Sequence, residues 1–142
     1  KKRSDNVKLV MVINRDLPLG LVANTAAVLG ISLSKIYQED IVGGDIADAD
    51  GNLHLGITAQ TIPILSASRE QVKEIREAMF EPAFAEVAAI DFSEAAQRCL
   101  NYEQYIRSLA QLSAEELFYL GVCMYGPKKK VNKLTGSLPL LR

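Results

Sequence analysis

The chain has 142 residues, 49% hydrophobic and 23% charged, with Lys+Arg 16 against Asp+Glu 17 and a net charge of −1. That length suits one domain whose core needs no metal or disulfide staple. The balanced charge speaks against a dedicated nucleic-acid binder, and so against tRNA as a partner. One His and two Cys are too few for a zinc site built mainly from those ligands, and neither metal nor cofactor is expected.

The longest apolar stretch, Leu17 to Leu33, is interrupted by Pro18, Gly20, Asn24, Thr25, Gly30 and Ser32. It falls short of the roughly 18 uninterrupted apolar residues of a spanning helix. Lys1-Lys2-Arg3 has no apolar segment directly behind it, and Cys99 and Cys123 form no C-x-x-C pair. The expectation is a cytoplasmic chain with reduced thiols and no membrane contact. Residues 1–142 read as a single α/β domain, with 1–6 as a flexible tail.

The unbroken apolar run Lys8–Ile13 predicts a strand covered on both faces. Behind Pro18 and Gly20, Val22, Ala26, Leu29, Leu33 and Ile36 recur at helical spacing. Leu21, Val28 and Ile31 lie off that stripe, which predicts burial on more than one side. Between Gln38 and Gly56 stand five acids and no Lys or Arg, with Asp50-Gly51 as a hairpin turn. Thr61–Leu65 reads as a second strand, at an edge or an irregular position because of Pro63.

Ser68-Arg69-Glu70-Gln71 is a capping box, and Val72, Ile75 and Met79 give the helix behind it one apolar face. Glu81-Pro82 stops it. Val87–Ile90 is a third strand, with a cap within Asp91-Phe92-Ser93-Glu94. Asn101 opens a helix whose inner face would be Tyr105, Leu109 and Leu112, and Ser113–Glu116 caps one more turn. Leu120–Tyr125 is the fourth strand. Pro127 then suits the first residue of a short helix, anchored by Val131 and Leu134 and closed by Gly136 as an αL cap. Strands alternating with helices imply a three-layer α/β/α domain.

Catalytic motifs are scarce. No G-x-S-x-G, G-x-G-x-x-G or phosphate-loop pattern is present. Any imidazole-based site must use His54, which falls in the expected surface hairpin. Asp48-Ala49-Asp50-Gly51-Asn52 lacks the first acid and the closing Glu of a calcium loop and reads as a solvated turn. Asn14, Arg15 and Asp16 leave a buried strand at its carboxyl end, where open α/β sheets bind ligands, with Asn24 and Thr25 a turn into the next helix. Gly126 and Lys128, Lys129 and Lys130 place three cations at a helix N-terminus. That is unfavourable by about 0.3–1 kcal/mol each unless an anion sits there. These residues form the candidate ligand-binding set.

Two stretches carry a family resemblance. Lys8-Leu9-Val10-Met11-Val12-Ile13-Asn14-Arg15-Asp16-Leu17-Pro18-Leu19-Gly20 resembles the opening strand and D-L-x-x-G turn of class II peptidyl-tRNA hydrolases. Tyr125-Gly126-Pro127 and Leu134-Thr135-Gly136-Ser137-Leu138-Pro139-Leu140-Leu141 resemble their closing segment. Over its whole length, with the acidic G-G-D…D-x-D-G stretch and the K-K-x-V-N-K-L-T-G run, the chain more closely resembles a bacterial family of unknown function, number 2000.

The resemblance implies a small four-stranded mixed sheet with the Lys8–Ile13 strand inside, and a homodimer. It also implies that Gly126–Lys130 lies near Asn14–Asp16, so that one pocket uses both. The hydrolases' catalytic lysine has no counterpart in Leu21–Ala27, and Asp91 alone stands where their D-A-G-x-T-Q motif would be. The expectation is therefore a non-hydrolase binding or regulatory protein recognising an anionic small molecule or partner. The alternative is a divergent peptidyl-tRNA or acyl-ester hydrolase using Asp91, which would need one basic groove joining Lys8, Arg15 and Lys128–Lys130 beside it.

Overall fold

The computed structural model describes residues 6–142, with the side chains of residues 37–40 outside the description. Most of the expected tail, residues 1–5, therefore lies outside the described residues. Strand β1 (Val7–Asn14) leads into α1 (Leu19–Ile41) and a small hairpin, β2 (Ile46–Ala47) and β3 (Leu53–His54). Then come β4 (Ile64–Ala67), α2 (Arg69–Ala78), a 3₁₀ turn at Pro82–Phe84, β5 (Ala88–Ser93), α3 (Glu94–Arg98) and α4 (Tyr102–Ala110). A 3₁₀ turn at Ala114–Glu116, β6 (Tyr119–Pro127) and α5 (Lys128–Thr135) complete the order.

The main sheet runs β4-β1-β6-β5. β1 is parallel to β4 and antiparallel to β6, and β5 is antiparallel to β6. This is the expected mixed four-stranded sheet with the Lys8–Ile13 strand inside. Side chains alternate across β1 and β6. Leu9, Met11, Cys123 and Tyr125 meet Leu29 and Leu33 of α1, while Val10, Val12, Val122 and Met124 meet Val72 of α2 and Val131 of α5. Two covered faces explain the unbroken apolar run.

Several local expectations are met. Ser68 accepts from the Gln71 amide at 3.1 Å and Gln71 Oε1 accepts from the Ser68 amide at 2.9 Å, closing the capping box. Asn101 caps α4. Gly51, at φ +86°, closes the β2–β3 turn.

Other expectations are corrected. α1 is buried on one side only: Leu29 is fully buried, whereas Ile31 is 76% exposed, because the sheet offers α1 a single face. The polar residues thought to interrupt this stretch are accommodated within the helix, Thr25 and Ser32 donating to the carbonyls of Leu21 and Val28. By length and composition alone, Leu19–Ile36 is a helix long and apolar enough to cross a membrane, with mean hydropathy 1.5, while its Leu29 and Leu33 lie against the sheet. Pro127 keeps extended backbone as the N-cap of α5, whose first residue is Lys128. Gly136 is right-handed, not αL, because its amide continues the helical pattern to Asn132 O. Tyr105, Leu109 and Leu112 are half-buried, since α4 lies at the margin of the core.

A cleft beside strand β5 as the candidate functional site

The antiparallel pairing of β1 with β6 decides where the expected ligand residues fall. Lys8 stands opposite Gly126 and Ile13 opposite Gly121. Gly126–Lys130 thus lies beside the start of β1, about 20 Å along the strand from Asn14. The two groups occupy opposite ends of the sheet and do not share a pocket.

At the first end the polar groups serve the backbone. Asn14 is buried and its Oδ1 accepts from the Asp16 amide at 2.9 Å. Thr25 is fully buried, its methyl against Gly121. Arg15, Asp16 and Asn24 are exposed. At the other end Gly126 has a packing role, because a Cβ there would stand 2.9 Å from the Val87 Cα. Lys128 and Lys129 are exposed, and Lys130 donates to the Ala83 carbonyl at 2.7 Å. Lys8 donates to Asn132.

Asp91 sits mid-strand on β5, opposite Val122. Its Oδ2 accepts from Arg76 Nε of α2 at 2.6 Å, with the side chains 21% and 12% exposed. The Arg76 guanidinium also lies 4.0 Å over the Phe80 ring. His54, exposed on the hairpin, places Nε2 2.8 Å from Asp48 Oδ2. That contact, with amides from Asn52 and Asp50, holds the Asp48 carboxyl below its ordinary value.

A cleft of about 700 Å³ opens between α1, β5 and the α3–α4 segment. Val28, Ser32, Lys35 and Ile36 line it from α1, and Ile90, Asp91 and Phe92 from β5. Cys99, Leu100, Tyr102 and Tyr105 complete it. The Tyr102 and Tyr105 rings meet edge to face at 5.5 Å. Burial, reinforced by the Asp91 charge, pushes the Tyr105 phenol up. Of the residues expected from sequence, only Asp91 is here. The remainder converge from three separate elements, so no linear motif marks them.

Asp91 Oδ2 is occupied by the Arg76 guanidinium. Cys99 Sγ donates to the Ala95 carbonyl at 3.2 Å, and burial pushes the Cys123 thiol up to about 12. Among the described residues no nucleophile and base stand paired in this cleft, as nucleophilic catalysis requires.

The fold and cleft define a three-layer α/β protein with a central mixed sheet and a lateral pocket. The chain belongs to the family described as Protein of unknown function (DUF2000), whose model matches residues 7–142. It is similar to the solved structure of a protein of unknown function, Atu0240, from Agrobacterium tumefaciens strain C58. The two share 18% identity and a TM-score of 0.84, over 95% of this chain and 97% of that one. No curated protein matches the chain.

Proposed function

We propose that this is a non-hydrolytic binding or regulatory domain on a class II peptidyl-tRNA-hydrolase-like scaffold, recognising an anionic small molecule or partner. The single observation carrying this reading is the Asp91–Arg76 pair at 2.6 Å, which commits the only retained acid of the hydrolase pattern to a structural partner. The scattered basic residues support it: Lys8 and Arg15 lie at opposite ends of β1. A groove for a polyanion needs several such charges side by side.

The protein is a cytoplasmic bacterial homodimer in this reading. Pairing is supported by large apolar side chains left open on α1 (Ile31, Ile36) and around the hairpin (Ile46, Leu53, Leu55, Ile57). Light scattering on the purified chain tests that part, a monomer at all concentrations counting against it. The function is tested by incubating the chain with peptidyl-tRNA and with simple acyl esters. The expected result is no turnover above that of Asp91→Ala. Turnover that disappears in Asp91→Ala would establish the hydrolase instead.

A further inference from the structure

The polar atoms of the cleft divide into those the protein already uses and those it leaves open. Ser32 donates to the Val28 carbonyl at 2.8 Å, and Cys99 to Ala95. Asn101 Oδ1 is taken by the Gln104 amide, and Asp91 holds Arg76. Left over are the Lys35 ammonium and the hydroxyls of Tyr102 and Tyr105. Among the described residues these make no hydrogen bond or ion pair. An ammonium donates only, and a phenol can donate a hydrogen bond to an anion. The cleft therefore asks its guest for an acceptor.

One cation also sets the guest's charge. A monoanion is balanced by Lys35, the one cation lining the cleft among the described residues. The rest of the guest is set by the walls. Val28, Ile36, Ile90 and Phe92 are apolar, and Leu100 at the rim is 89% exposed with nothing over it among the described residues. A volume of about 700 Å³ lies within the usual range for small-ligand sites.

We propose that this cleft binds a monocarboxylate carrying an apolar chain or ring, with Lys35 holding the carboxylate and the apolar body lying between α1 and β5. This rests on the reading that the protein binds without hydrolysing. A charge-assisted contact from Lys35 is worth about a ten-fold or greater change in affinity. Each methylene added to the guest tightens binding by about four-fold until the cleft is full.

The test is an amide-resolved NMR titration of the full chain with hexanoate, octanoate, octanamide and inorganic phosphate. The expected shifts cluster on α1 near Lys35, on β5 and on α4, with octanoate tighter than hexanoate. Lys35→Met should weaken octanoate at least ten-fold and leave octanamide unchanged, while Lys35→Arg restores octanoate. Lys35 is exposed, so both variants should keep the wild-type melting temperature. Equal octanoate affinity in Lys35→Met overturns the proposal, as does the absence of alkanoate shifts at the cleft. Phosphate shifts at Lys128–Lys130 together with no alkanoate shifts at the cleft would overturn it and leave the binding reading standing. Steady turnover of p-nitrophenyl octanoate would instead remove the binding reading, and with it this proposal.

Discussion

At the scale of single residues the chain contains two thiols of opposite character. Cys123 lies in the middle of β6 with no exposure, and burial alone carries its thiol up to about 12. Cys99 is half-buried and lines the cleft. Thiolate, not thiol, attacks a disulfide reagent, so an aromatic disulfide should release one equivalent from the native chain and a second after unfolding. Two fast equivalents before unfolding would contradict the placement of Cys123. Gly126 gives a second residue-scale outcome. With Val87 Cα only 2.9 Å from the site of a new Cβ, Gly126→Ala forces backbone apart and should cost about 1–3 kcal/mol of stability, measured by urea unfolding. In the sequence Gly126 reads as an amide for an anion, because nothing there tells a glycine that binds from one that packs.

At the scale of elements, local chemistry was the most legible part. Ser68 with Gln71, Asn101 with Gln104, and Asp50-Gly51 each act within a few residues, so their patterns carry the geometry with them. Ser68→Ala should remove about 1 kcal/mol, a fall of about 2–4 °C in melting temperature for a chain of this size. Exposure was less legible: the spacing of Ile31 and Ile36 cannot reveal how many faces the rest of the fold will cover.

A pH effect follows from the contact of α2 with α3. Arg69 donates to both oxygens of Glu94, at 2.7 and 2.8 Å, and holds its carboxyl below the ordinary 4.5. The unfolded chain takes up this proton first on acidification, so the pair's contribution is complete above the unfolded value and disappears as pH falls through the lower, folded one. Urea midpoints of the wild type should therefore drop more steeply between about pH 6 and pH 3 than those of Glu94→Gln. Parallel pH curves would show that the contact contributes nothing.

At the scale of the whole molecule, the layers were readable from strands alternating with helices and the two covered faces of Lys8–Ile13 from its apolar run, while its place inside the sheet was implied by the family resemblance. The relation between distant strands was not. The same apolar residues in β6 satisfy a parallel or an antiparallel neighbour, and only the observed register separates Asn14 from Gly126. The cleft was hidden for the same reason, since Lys35, Phe92 and Tyr105 become neighbours only when α1, β5 and α4 are assembled.

That register has a kinetic consequence. The two inner strands, joined from Val7↔Pro127 to Ile13↔Gly121, come from opposite ends of the described chain. Their meeting closes a loop of more than a hundred residues before any interior pairing rewards it. Closing so long a loop costs entropy early, and folds dominated by such distant contacts fold in milliseconds to seconds. Stopped-flow refolding should be correspondingly slow. A ribosome-bound chain ending before residue 119 should remain protease-sensitive throughout, since it holds β1 and β4 but lacks the strand that joins β1 to β5. Until β6 emerges, the Lys8–Ile13 segment is an apolar strand with one side open, and a chaperone that shields such segments during synthesis would find its substrate there.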